Sequence, residues 1–265
     1  MRWSGLRLSV TLLTVIPLRG PAAEPRRATL AAAMAWAPAV GLLLGSVAAT
    51  VLVTADRLFG AGPLTAAGLT VAALALMTRG LHLDGLADLA DGLGSGKPAA
   101  IALDIMRRSD IGPFGIVTLV LTLVIQVGAL AHAEGAGGGR GPAALIAAVV
   151  TGRLALTWAC RRGVGAARPD GLGALVAGTI RPGVAAGITV VLLAAAGVTG
   201  FSLLSPRLFS LFSLPLAVVA GLAAAFVLQR HAVRRLGGIT GDVLGALIET
   251  AATVTLVVAA MGPRA

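Results

Sequence analysis

The chain has 265 residues, of which 57% are hydrophobic and 12% charged, with a mean hydropathy of +0.94. Soluble domains carry about 25% charged residues, so a water-soluble globule is excluded. The net charge of +10 would suit a nucleic-acid binder, but three Trp, six Phe and no Tyr offer little to stack on bases, and the arginines sit in short clusters between apolar runs, as in membrane topology.

The amino terminus imitates a signal peptide, with Arg2 and Arg7, an apolar stretch from Leu8 to Ile16 and the small-residue run Pro21-Ala22-Ala23. Arg26 and Arg27 directly after it oppose translocation, so the segment reads as a short, uncleaved helix lying against the first span. Seven apolar stretches follow, at 30–54, 62–78, 113–133, 142–160, 183–204, 213–229 and 243–261. Each reaches the roughly 17 to 25 residues that a membrane helix needs. They lack the period-two alternation of a β-barrel, and in lipid a helix satisfies its own backbone groups. The expected fold is therefore all-α: one polytopic bundle over residues 1–265, with about seven transmembrane helices and a short amino-terminal interfacial helix. The single cysteine, Cys160, leaves no internal disulfide framework and no cysteine-rich metal site.

Basic residues alternate between connections. The amino terminus holds Arg2, Arg7, Arg19, Arg26 and Arg27, the second connection Arg79, Lys97, Arg107 and Arg108, the fourth Arg161, Arg162, Arg168 and Arg181, and the sixth Arg230, Arg234 and Arg235. The intervening connections and the tail hold only Arg57, Arg140, Arg207 and Arg264. This bias places the amino terminus in the cytoplasm and the carboxyl terminus outside, across the cytoplasmic (inner) membrane. The acidic residues follow the same side. Asp84, Asp88, Asp91, Asp104 and Asp110 crowd the second connection, and Glu24, Asp170 and Asp242 join them. Whatever chemistry exists is expected at the cytoplasmic face.

Asp84, Asp88 and Asp91 stand at i, i+4 and i+7, one face of a helix. Two like charges 4 Å apart repel by about 1 kcal/mol in water and about 4 kcal/mol at an effective dielectric of 20, so something positive should sit against them. An oxygen-only cluster suits a hard divalent cation, and Mg²⁺ prefers one or two carboxylates plus waters and substrate phosphates. The spacing thus points to metal-assisted phosphoryl transfer, against the plainer alternative of a solvated helix face beside Arg79, Lys97, Arg107 and Arg108. The run Gly92-Leu93-Gly94-Ser95-Gly96-Lys97-Pro98 is not a P-loop, which needs Gly where Asp91 stands and Ser or Thr where Pro98 stands.

The run from Leu81-His82-Leu83-Asp84-Gly85 to Ala87-Asp88-Leu89-Ala90-Asp91-Gly92, followed by Asp104-Ile105-Met106 and Ile111-Gly112-Pro113-Phe114-Gly115, resembles the cobalamin synthase family, the adenosylcobinamide-GDP ribazoletransferases. Leu13-Thr14-Val15-Ile16-Pro17, Pro38-Ala39-Val40-Gly41, Ala167-Arg168, Gly171-Leu172-Gly173 and Gly237-Gly238-Ile239-Thr240-Gly241-Asp242 extend the likeness over nearly the whole chain, in order. The resemblance implies a membrane enzyme of late vitamin B12 synthesis. Such an enzyme joins adenosylcobinamide-GDP to α-ribazole or its 5′-phosphate with Mg²⁺ and releases GMP; its partners are these small molecules and the lipid bilayer, not nucleic acid.

On that reading Asp84, Asp88 and Asp91 bind the metal and form the catalytic group, and one of them could instead accept the hydroxyl proton. Arg168 is a candidate phosphate contact through its fork of donors. Asp242 follows a glycine-rich turn and either lies near a phosphate or caps the last span. His82 is a further candidate at the substrate, as a base or as a structural group. Glu249, about two turns into the last span, is expected to face the bundle interior. Two other classes remain open. A CDP-alcohol phosphotransferase would need Arg where Leu89 stands, and a transporter would set its aspartates at mid-membrane.

Overall fold

The computed structural model describes residues 2–19, 26–108, 110–204 and 208–261; Pro21-Ala22-Ala23, Glu24, Arg207 and Arg264 lie outside them. The elements among the described residues are helices: α1 (Arg2–Leu13), α2 (Arg27–Val53, continued by a π turn Thr54–Leu58), α3 (Pro63–Met77), α4 (Leu81–Gly94), α5 (Ala99–Ile105), α6 (Pro113–Gly135), α7 (Arg140–Ala159), α8 (Gly171–Val176), α9 (Pro182–Thr199), α10 (Leu208–Leu236) and α11 (Gly241–Ala260). Helix α1 packs along α2, where a methyl on Gly5 would meet Ala32. That is the short amino-terminal helix expected from the sequence.

Six helices are long and apolar enough to cross a bilayer, and α3 with α4 makes a seventh if the pair counts as one bent crossing. Helix α3 has 15 residues, about 22 Å of helix against a hydrocarbon core of about 30 Å. It ends where Arg79 and Gly80 both take left-handed φ values, 57° and 65°. The Gly80 N–H donates to the Ala75 carbonyl at 2.8 Å and the Arg79 N–H to Leu76 at 3.1 Å, a wrapped helix end of the kind glycine permits. Helix α4 then departs at 89°. It runs across the end of the bundle at which α6 and α11 begin.

Helix α7 is the hub, buried against α2, α10 and α11. Helices α6 and α9 instead turn Val120, Leu121, Val124, Val190, Val191 and Val198 outward, as lipid-facing helices do. Small residues let the central backbones approach: a methyl at Gly152 of α7 would lie 2.7 Å from the Ile248 carbonyl oxygen of α11.

The connections gather at two ends, as alternating crossings require. Arg57, after α2, lies 3.7 Å from Glu134, at the end of α6. At the other end Arg27 donates to the Ala177 carbonyl at 3.0 Å, Arg235 to Lys97 at 3.3 Å, and Arg107 to Asp170.

Candidate functional site

The site forms where α4 crosses the first turn of α11. The two backbones approach closely at glycines. A methyl on Gly85 would stand 2.8 Å from the Asp242 carbonyl oxygen, and one on Gly245 would stand 3.2 Å from the His82 Cα. This contact carries the exposed Asp84 and the half-buried Asp88 to the half-buried Asp242.

The central loop is fixed to the same place by backbone pairing. The Ile239 N–H donates to the Gly165 carbonyl at 2.9 Å, and the Ala167 N–H to Ile239 at 3.0 Å. Gly173 packs so tightly on Ile239 that a methyl there would lie 2.5 Å from its carbonyl oxygen. The pairing sets Arg168 with Nη1 3.8 Å from Asp242 Oδ2, while its Nη2 donates to the Leu103 carbonyl of α5. The Arg168 Nε is buried without a partner among the described residues. Thr240, not Asp242, is the N-cap of α11: its hydroxyl oxygen accepts from the Val243 N–H at 3.2 Å, and its O–H donates to Asp242 Oδ2 at 3.1 Å. The Asp242 carboxylate is thereby left to face Arg168.

Two cavities open beside this cluster. One of about 250 Å³ is lined by Asp88, Asp91, Arg108, Asp110 and the start of α6. The other, about 220 Å³, is lined by Arg107, Arg168, Asp170, Thr240, Gly241 and Asp242. Burial, then the charges of Asp84, Asp242 and Asp91, push the Asp88 carboxyl up to about 7, with Arg168 opposing. Burial and neighbouring carboxylates thus outweigh Arg168 at Asp88.

Asp91 lines the same cavity as Asp88 but is also engaged elsewhere, and His82 stands apart. Both oxygens of Asp91 face the amino end of α6, accepting from Gly112 N–H at 2.7 Å and Gly115 N–H at 2.9 Å. Asp91 is thus a remote cap for a lipid-facing helix, and it needs glycine at both positions, since a methyl on either would strike the carboxylate. His82, expected at the substrate, is buried, with Nδ1 3.5 Å from Arg153 Nη2, and lines neither cavity. Glu249 faces inward as expected and accepts from Gln126 Nε2 at 2.9 Å. Asp110 lines the larger cavity, and Asp104 is exposed.

Among the described residues no three His, Cys, Asp or Glu side chains converge to hold a metal ion, which does not fit an all-protein cage. Asp88, which lines the acidic cavity, with the exposed Asp84 one turn away on α4, does fit Mg²⁺ held by one or two carboxylates and substrate phosphates.

Sequence reasoning missed Arg153, Gln126 and the Asp91 cap. Arg153 carried the one available signal: a charge in the middle of an apolar span costs roughly 2.5 to 3.5 kcal/mol and so implies an interior partner.

Known proteins resemble the chain over nearly its whole length. The profile of the cobalamin-5-phosphate synthase family matches residues 5–260. The adenosylcobinamide-GDP ribazoletransferase of Frankia casuarinae is 47% identical over 265 residues, covering 96% of this chain and 94% of the relative. Those of a Nocardioides species and of Bradyrhizobium diazoefficiens are each 38% identical, covering 94% and 96% of this chain and 95% and 92% of the relatives. No solved structure matches.

Proposed function

The chain belongs to the cobalamin-5-phosphate synthase family, and on that footing we propose that it is an Mg²⁺-dependent adenosylcobinamide-GDP ribazoletransferase of the cytoplasmic membrane, with its amino terminus and site in the cytoplasm and its carboxyl terminus outside. It transfers the cobinamide phosphate moiety to α-ribazole or α-ribazole 5′-phosphate, forming adenosylcobalamin or its 5′-phosphate in the last steps of vitamin B12 synthesis. The ribose hydroxyl oxygen bonds to the phosphorus on the cobinamide side of the diphosphate, the bond from that phosphorus to the bridging oxygen breaks, and GMP departs with the bonding pair. The hydroxyl proton passes to a carboxylate of the cluster.

One observation carries this reading: Asp84, Asp88, Asp242 and Arg168, drawn from three distant segments, meet at one end of the bundle, with Asp88 in one open cavity and Arg168 and Asp242 in another. Asp84 and Asp88 would hold the ion. When bound, Mg²⁺ would offset the charge of the diphosphate and of the departing GMP. Arg168 directs its guanidinium at a phosphate. Gly241 and Asp242 open α11, where the backbone N–H groups have no intrahelical acceptor, and both residues line the same cavity as Arg168. Asp242 holds Arg168 in place, and Asp91 fixes the α6 wall of the acidic cavity.

The test is to incubate the detergent-purified protein with GDP-activated cobinamide, α-ribazole and Mg²⁺ and to measure GMP. Folded protein that releases none above a blank without protein would overturn the assignment, and release from CDP-alcohol substrates alone would favour the rival transferase class. Asp84→Asn and Asp88→Asn should each abolish turnover with membrane insertion intact; near-normal rates in both would remove the metal role.

A further inference from the structure

The proposed transfer chemistry leaves a polar cluster inside the bundle unused. Arg153 of α7 is buried at 4% exposure. It lines, with Thr78 just after α3, Gln126 of α6 and Glu249 of α11, a cavity of about 50 Å³ beneath α4. Gln126 Nε2 donates to Glu249 Oε2 and to Thr253 Oγ1, both at 2.9 Å. Above them His82 of α4 closes the group, with Nδ1 3.5 Å from Arg153 Nη2 and 4.0 Å from Glu249 Oε1.

A guanidinium only donates, so Nδ1 bonds to Arg153 in the tautomer that carries the imidazole proton on Nε2. That Nε2 and the Arg153 Nε are buried without a hydrogen-bond partner among the described residues. A buried ionic group with orphaned donors is a poor source of stability, because apolar side chains of the same size would serve as well. What it can supply is a unique geometry.

The cluster stands where that geometry matters. His82 is two residues before Asp84 on α4, and its backbone is what Gly245 touches, 3.2 Å from the methyl that Gly245 lacks. Glu249 lies seven residues after Asp242, on the same face of α11 two turns deeper. Each helix that bears site carboxylates therefore sends one side chain down to Arg153. We infer that Arg153 is a positioning residue: with Glu249 and Gln126 it pins His82, and through it sets Asp84 and Asp88 on α4 against Asp242 on α11. The inference rests on the transferase reading for what the positioned groups do, but the strut itself is a property of the fold.

Hydrogen exchange separates the strut from both simple stability and the activity. In detergent-purified Arg153→Met, amides of residues 81–94 should exchange at least tenfold faster than in the native protein, with α9 and α10 within twofold. kcat for GMP release should fall at least tenfold, with KM for the corrinoid within threefold, and Arg153→Lys should recover part of both effects. Unchanged exchange in 81–94, or equal acceleration in every helix, would overturn the inference. If Arg153→Met does not fold, His82→Leu, which keeps both buried charges, carries the same test: selective loosening of 81–94 supports the strut and unchanged exchange overturns it. Native protein that releases no GMP would count against the transferase reading, and the exchange data would still decide the strut.

Discussion

Gly85→Ala tests whether the contact of α4 with α11 builds the site. The added methyl would stand 2.8 Å from the Asp242 carbonyl oxygen and 2.9 Å from its Cα. Both are backbone atoms and cannot rotate away. Ordinary contact begins at about 3.5 Å, so the helices must part by roughly 0.6 Å or more. That movement takes Asp84 and Asp88 away from Asp242 and Arg168. A misplacement of about 1 Å can cost about 100-fold in rate, so a shift of roughly half that size should lower kcat by about tenfold.

Stability should move less. Overpacking costs about 1 to 3 kcal/mol, and replacing a helical glycine with alanine returns about 1 kcal/mol, leaving a net loss of about 0 to 2 kcal/mol. The assay is GMP release per folded molecule, beside a thermal melt in the same detergent. Gly187→Ala in α9, where a methyl meets nothing within 4 Å, should leave the rate unchanged and raise stability by about 1 kcal/mol through helix propensity alone. A Gly85→Ala protein with the native rate, or one whose rate falls only with its folded fraction, would refute the reasoning.

Removing the Asp91 carboxylate in Asp91→Ala strands the Gly112 and Gly115 N–H groups and should cost about 2 kcal/mol in a melt; the Mg²⁺ concentration for half-maximal activity should stay within twofold, and a tenfold rise would make Asp91 a metal ligand after all. Asp88 holds its proton up to about 7 in the folded protein, against 3.8 when unfolded. Without divalent cations, stability should therefore decline as pH rises from about 4 through about 7, as the folded state is forced to take up the charge. Asp88→Asn should flatten that decline in melts from pH 5 to 8, and an equal slope in both proteins would exclude Asp88 as its source. Arg79, held at φ 57°, should gain about 1 kcal/mol on replacement by glycine, since left-handed backbone is strained for a residue with a Cβ; a loss of stability would mean that its side chain matters more than its backbone.

Much of the molecule is legible residue by residue. Lipid selects each helix by its own apolar content and each connection by its own charge, so the spans and the alternating ends follow from composition along the chain. The face shared by Asp84 and Asp88 follows from helical period alone. The second crossing was only partly legible, because 62–78 gives no measure of how sharply Arg79 and Gly80 turn the backbone.

The tertiary structure decided the rest. Asp84, Asp88 and Asp91 look alike in sequence, yet Asp91 is taken by amides more than twenty residues away while the other two meet Asp242. Likewise Thr240 rather than Asp242 caps the last helix, and His82 turns to an arginine inside the bundle. Such outcomes depend on which backbones approach within a few tenths of an ångström, at Gly85, Gly173 and Gly245, and on which donors that approach brings within reach. Partition into lipid is a sum over single residues, whereas the role of a carboxylate belongs to the pair it forms, and only the packed chain selects the pair.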